Sequence, residues 1–300
     1  MTNIRIINNN NIELDKWDNL VHRFAQGLPY AQSWYLNAVC ENWKIIVYKD
    51  YEAGFAFQIN KKLALPYSLQ PFLTQQIGFL GEDITIFNQF LKEIEQKVFY
   101  YQYQLNHFNN LDKSLNINTN KINYELNLNQ TYTEFYKGYK TNTKRNLKKA
   151  NKHSISIQTI SSLSSEDLDF IETYNKLSFR DKEMLKLKQL IQNASKHQQL
   201  LVYKALYKDE IISEIIFIKN KLRAVYLVAV SNDNGLKLKA NFSLVDAFIK
   251  QNAETDIILD FEGSMIDGIA RFYAGFGASK KTYPIIKKIS LRKPLKKILQ

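Results

Sequence analysis

Three stretches of the 300-residue chain carry side chains whose types and spacing could do chemistry. In the first, Lys144, Lys148 and Lys152 fall at i, i+4 and i+8 with Arg145 and Lys149 beside them, so five cations share one helical face. No acidic residue lies between Glu134 and Glu166. Like-charge pairs at this spacing each cost a few tenths of a kcal/mol, and alternating signs would solvate a helix more cheaply. The face therefore suits the phosphates of an RNA, a nucleotide or a cofactor, with a plain solvated surface as the alternative. In the second stretch, LDFEGSMIDGIARFYAGFGA (Leu259–Ala278), Asp260 marks the end of an apolar strand. Glu262 lies two residues on, so in an extended chain both carboxylates project from one side. The carboxyl edge of a strand is a common place for a group that orients or deprotonates a substrate. Ser264 with Asp267 fits a capping box, and Arg271 could hold a carboxylate or phosphate bidentately or pair with Asp267. Phe272, Tyr273 and Phe276 read first as packing. The third stretch, Ser231–Ile249, is a strand-to-helix junction with Gly235, Lys237 and Lys239. Such a junction can bind a pyrophosphate through backbone amides, although one glycine gives less close approach than several would.

The elements that must position these groups read as mixed α/β. Strands are expected at Ile4–Ile7, Trp43–Tyr48, Gly54–Ile59 and Phe99–Leu105, with helices at Tyr30–Glu41 and Ile84–Val98. Pro66 and Pro71 bracket a stretch read as irregular. The Asn-rich, weakly periodic run from His107 to Asn123 is the best domain boundary, which predicts one domain over residues 1–122 and another over 123–300. The second half offers strands at Tyr124–Leu128, Ile155–Ile160, Leu200–Tyr207, Ile211–Lys219, Ala224–Val230, Ile257–Phe261 and Tyr283–Ile289. Its helices are Tyr132–Lys152, broken around Thr141–Thr143, then Ser165–Leu177, Lys182–His197, Lys239–Asn252 and Met265–Ala274. Helices interleaved with runs of two or three strands imply mixed sheets flanked by helices rather than one parallel sheet.

Composition narrows the class. With 45% hydrophobic and 23% charged residues, only 10 Gly and 5 Pro, the chain is globular, neither disordered nor collagen-like. Its 41 Lys+Arg against 29 Asp+Glu give a charge of +12, which suits a polyanionic partner. A single cysteine, Cys40, cannot form an internal disulfide, and the four histidines show no zinc-ligand spacing with it, so no metal is expected. The start of the chain lacks a signal-like apolar core, and Glu214 interrupts the longest apolar run, Ile211–Ile218. The expected location is the cytoplasm. A phosphate-binding P-loop, a dinucleotide fingerprint, a nucleophile elbow and a zincin motif are all absent. Basic residues also cluster at Lys287, Lys288, Arg292, Lys293, Lys296 and Lys297, where a basic tail is the plain reading.

Taken together, Ala31–Val39 (AQSWYLNAV), Asn142–Gln158 (NTKRNLKKANKHSISIQ) and Leu259–Ala278 resemble the FemABX-type aminoacyltransferases and their relatives in the GNAT acyltransferase superfamily. A Q-S-x-x-W-like element is met as Gln32, Ser33 and Trp34, with the aromatic shifted. An R-N-x-x-K-A helix matches Arg145, Asn146, Lys149 and Ala150. A D-F-x-G-S strand end followed by R-F-x-x-x-F-G matches Asp260, Phe261, Gly263, Ser264, Arg271, Phe272, Phe276 and Gly277. The resemblance implies two tandem GNAT-like domains, with the last strand able to return to the first. It also implies transfer of an acyl or aminoacyl group to an amine. Peptidoglycan-acting members often carry a lysine where this chain has Tyr273.

On this reading Asp260 or Glu262 would position or deprotonate the amine, and Arg271 and Tyr273 would contact substrate or oxyanion. Lys144, Arg145, Lys148 and Lys149 would hold phosphates, with Gln32, Trp34 and Ser264 helping to bind substrate. No bound cofactor is required. The donor would be an aminoacyl-tRNA or an acyl-CoA, and the acceptor an amine such as a cell-wall precursor. Two alternatives stand beside it: CoA-dependent acetylation of a small amine or sugar, and a non-catalytic module that binds RNA or another polyanion.

Overall fold

The computed structural model describes residues 3–109, 111, 117–175, 179–263 and 265–289. Ser264 and the basic residues from Arg292 to Lys297 lie outside them. The chain divides into two compact units, residues 1–121 with 282–300, and residues 122–281.

The first unit begins with β1 (Ile4–Asn8), α1 (Leu14–Phe24), α2 (Ser33–Val39), β2 (Trp43–Tyr48) and β3 (Ala53–Gln58). Strands β1, β2 and β3 form an antiparallel sheet. α1 was not foreseen, yet Trp17, Leu20 and Val21 form its buried stripe, at the i, i+3, i+4 spacing of an amphipathic helix. The Trp17 indole N–H donates to the carbonyl of Ala31 at 2.8 Å. Next come β4 (Asn60–Lys62), β5 (Leu65–Leu69), α3 (Ile84–Glu95) and β6 (Tyr100–Gln104). The Pro66 stretch expected to be irregular is thus a strand, antiparallel to β4 and parallel to β6. Pro66 lacks an amide proton, but its carbonyl accepts from Phe99 N at 2.9 Å.

The second unit contains β7 (Ile117–Asn127, from Ile122 onward), α4 (Tyr132–Gly138), α5 (Thr141–Ala150), β8 (Ile155–Ile160), α6 (Ser165–Tyr174) and α7 (Asp181–Lys196). Then follow β9 (Leu200–Tyr207), β10 (Glu210–Lys219), β11 (Arg223–Ser231), α8 (Asp233–Leu238), α9 (Ala240–Asn252), β12 (Ile258–Asp260) and α10 (Asp267–Gly275). The last strand, β13 (Ser279–Ile289), returns to the first unit, where Ile285–Ile289 pairs antiparallel with β6. Within the second unit the strand order is β7-β12-β11-β10-β9-β8. The β11–β12 pair is parallel and the others are antiparallel. Phe217, Leu244, Phe248 and Leu259 lie at the centre of its apolar core. The helix break expected at Thr141–Thr143 falls at Tyr139–Lys140, before Thr141. The Lys140 N–H there donates to Gly275 O at 2.9 Å rather than continuing α4.

Candidate active site: a fork in the second unit's sheet

The parallel ladder between β11 and β12 is short. It pairs Arg223 with Ile258, Ala224 with Leu259 and Val225 with Asp260, and then stops. Two features separate the strands from that point. On β11 the register against β10 slips, because Ile216 opposes Val228 while Phe217 opposes Tyr226, which leaves Leu227 as an extra residue. A bulge of this kind bends its strand and sharpens the local twist. On the other side the chain leaving β12 stays with β7, since Phe261 N donates to Tyr124 O at 3.0 Å. One strand turns away while the other is held.

The closed end of the fork is clamped by charge. Arg223 is 1% exposed, and its Nη1 donates to Glu125 Oε1 and to Asp260 Oδ2, both at 2.6 Å. Asn123 Nδ2 donates to the other Asp260 oxygen at 3.0 Å, and the Glu262 amide donates to that same oxygen at 2.9 Å. Burial pushes the Asp260 carboxyl above the ordinary range, the Arg223 guanidinium pulls against it, and Glu125 adds to it. Asp260 is therefore walled in, and it joins β7, β11 and β12 instead of facing a substrate.

Beyond the clamp the fork opens into a cleft of about 730 Å³, within the range of sites that hold a small substrate. β11 contributes Tyr226–Ala229 and Ser231 to its lining, and the segment after β12 contributes Phe261, Glu262 and Gly263. α10 contributes Gly268, Ile269, Phe272 and Tyr273, and the α8–α9 junction contributes Lys239, Asn241 and Phe242. Lys239 and Glu262 are the charged residues among them. Glu262 takes a left-handed backbone (φ 53°), which costs a non-glycine residue energy and is a conformation found at functional sites. The alternation expected of an extended chain thus fails at this residue: Asp260 is interior and Glu262 lines the cleft. Gly263 has no freedom to change, because a Cβ there would collide with the Ile122 carbonyl oxygen. Tyr273 stacks on Phe261 with ring centroids 4.7 Å apart and lies 5.8 Å from Tyr226. Burial, then the charges of Glu262 and Asp260, raise its phenol well above the ordinary value, so it holds its proton at neutral pH.

The other sequence candidates lie elsewhere. Arg271 is exposed on α10 and does not line the cleft. The α5 cations do not line it either: Thr143, Leu147 and Ala150 form the buried stripe of that helix, while Arg145, Lys148 and Lys149 are exposed. Lys144 Nζ donates to Lys137 O at 2.8 Å and Arg145 donates to Asn142 at 2.7 Å. In the first unit, Trp34 Nε1 donates to Gln32 Oε1 at 2.5 Å and both side chains are buried, a packing arrangement at the start of α2. Gly235 lies inside α8, where its bare Cα lets the helix approach the Ile212 carbonyl and its amide is capped by Asn232 at 2.9 Å. That amide is therefore committed to the helix cap. Sequence reasoning marked the Ser231–Ile249 junction, and Ser231, Lys239, Asn241 and Phe242 from it line the cleft. It missed Tyr226 and the Arg223 clamp, which no motif surrounds.

A second buried cluster sits on β9, β10 and α6. Glu214 is fully buried, and its carboxyl meets that of Asp167. It lies across the ladder from Lys204, whose ammonium bonds Asp167. Burial, with the nearby Asp167 carboxylate, pushes the Glu214 carboxyl up to about 9. Burial alone would raise Asp167, but hydrogen bonds from Lys204 and Ser164 bring it below the ordinary range.

No family model matches the chain, and no curated protein matches it in sequence. Solved structures do. FemX superposes with a TM-score of 0.67 at 10% identity, covering 98% of this chain and 99% of that one. L-PGS from Bacillus licheniformis gives 0.57 at 10% identity, covering 95% and 94%. The fold is FemABX- and GNAT-like. A tandem GNAT protein from the clavulanic acid biosynthesis pathway gives 0.56 at 9% identity over 96% and 98%, in keeping with a two-domain GNAT-like chain. Among the described residues, no helix is long and apolar enough to cross a membrane.

Proposed function

We propose that the chain transfers an activated acyl or aminoacyl group to an amine in the β11–β12 cleft. The observation that carries this reading is the fork itself. From Tyr226 onward β11 has no β12 partner, so backbone amides on that edge can bond the acyl carbonyl and the oxyanion that develops on it. The amine nitrogen attacks the carbonyl carbon, a C–N bond forms, and the bond to the donor's sulfur or oxygen breaks. Glu262 takes the proton from the amine. Tyr273, kept protonated by burial, returns one to the leaving group. Tyr273 stands where peptidoglycan-acting relatives often carry a lysine, and the acceptor is an amine that fits the cleft, a cell-wall precursor among them.

An aminoacyl-tRNA is the donor the charges favour. Among the described residues no carboxylate pairs with Lys144, Arg145, Lys148 or Lys149, and an unpaired basic helix gains affinity from phosphates by releasing counterions. The fold neighbours FemX and L-PGS support the transferase reading, and the tandem GNAT protein keeps acyl-CoA in the comparison. The test offers a panel of aminoacyl-tRNAs and acyl-CoAs with an amine acceptor to the wild type and to a Lys148→Glu, Lys149→Glu double variant. Transfer from a tRNA-borne donor, with KM raised at least about tenfold in the variant, is expected. Absence of transfer from every donor contradicts the reading. Salt-steep RNA binding without transfer would instead support the non-catalytic module, which the exposed α5 face also fits.

A further inference from the structure

Resting on that reading, we infer that the substrate of the cleft carries a straight apolar chain, which lies across its mouth on Leu236, Met265, Ile266 and Ile269. Large apolar side chains standing singly in water need no explanation, but a contiguous group beside a cavity marks a binding surface. These four are 43%, 64%, 64% and 39% exposed, and all of them line the same cleft. They come from two separate segments, Leu236 from α8 and the other three from the start of α10 and the residues just before it. Two folded segments thus bring apolar groups to one opening, where either could have carried polar residues at no cost to the core.

The apolar surface continues inward. Leu227 and Val228 of β11, with the half-buried Phe242 and Phe272, line the same space. The Phe242 and Phe272 rings meet edge to face at 4.8 Å. A flat protein or membrane surface laid on the four exposed residues would not enter the cleft of about 730 Å³ that they help to line. A flexible chain can cover those residues and enter the cleft, which is the stable way to remove that much apolar area from water. Glu262 and Lys239 supply charge for a polar head, and the chain needs none of its own. Either reactant could bring the chain: a fatty acyl donor or a long-chain amine acceptor.

The experiment measures binding, without turnover, to the full chain. One arm titrates straight-chain alkylamines and the other straight-chain acyl thioesters of coenzyme A, from two to twelve carbons and below their micelle concentrations. Full burial of a methylene corresponds to about fourfold in affinity, so Kd is expected to fall about two- to fourfold per added carbon over at least six carbons in one arm. The arm that responds identifies the reactant bearing the chain. A Met265→Ser, Ile266→Ser variant, altered at exposed positions, should flatten that dependence while keeping its melting temperature. Affinity independent of length in both arms overturns the inference, as does an unchanged slope in the variant. It is also overturned if the variant abolishes self-association, or binding to phosphatidylglycerol vesicles, while free chains bind as before. Length-dependent binding without transfer from any donor would sink the transferase reading and leave the chain site standing. Transfer with length-independent binding would do the reverse.

Discussion

Asp260 and Glu262 stand two residues apart and have opposite surroundings. Asp260 is enclosed by Arg223, Asn123 and the Glu262 amide, whereas Glu262 faces the cleft beside Tyr273. Removing each therefore has a different consequence. Glu262→Gln should lower kcat by about 10²–10⁴, the usual contribution of a positioned base, with unfolding free energy nearly unchanged. Asp260→Ala should instead destabilise by about 3–5 kcal/mol, because it leaves part of a buried guanidinium unpaired. Denaturant titration and steady-state transfer on the two variants check both. The position of this carboxylate pair at a strand end was legible in the sequence. Their opposite surroundings were not, because the left-handed backbone of Glu262 breaks the alternation that the spacing argument assumes.

At the scale of elements, the fork depends on a bulge, a short strand and a glycine. The β12 strand was readable from its apolar run, and α9 and α10 from their periodicity. The bulge at Leu227 was not, since an extra residue in an apolar strand leaves no mark on its composition. α8 was hidden for a related reason: its residues read only as part of the strand-to-helix junction, and the structure uses Asn232 as the cap of a short helix. Gly263 fixes how closely the segment bearing Glu262 approaches β7. Gly263→Ala must displace that segment from the Ile122 carbonyl, which should cost about 1–3 kcal/mol, as overpacking does. If Glu262 is the base proposed above, its misplacement should reduce kcat about 10²-fold. A variant with full stability and full activity would show that the approach is not needed.

Across the whole molecule, the sequence conveyed the mixed α/β architecture through its rhythm of strands and helices. It conveyed little of the buried charge. Glu214 was visible only as an interruption in an apolar run, because whether a lone acid in a strand is solvated depends on α6 and β9, which are distant in sequence. Held near 9 in the folded state and near 4.5 when unfolded, this carboxyl takes up a proton on folding across that interval. Stability should therefore fall as pH rises between those values, by up to about 1.4 kcal/mol per unit. Glu214→Gln should remove the slope; equal slopes in urea unfolding at pH 5.5 and 7.5 for wild type and variant would contradict the assignment. Hydrogen exchange of the full chain with and without bound acyl donor is the most direct measurement of where the chemistry resides. Protection is expected to concentrate in Tyr226–Ser231 and Phe261–Gly263, the two arms of the fork. Protection confined to α5 or to the first unit, with both arms exchanging as in the free protein, would contradict the account.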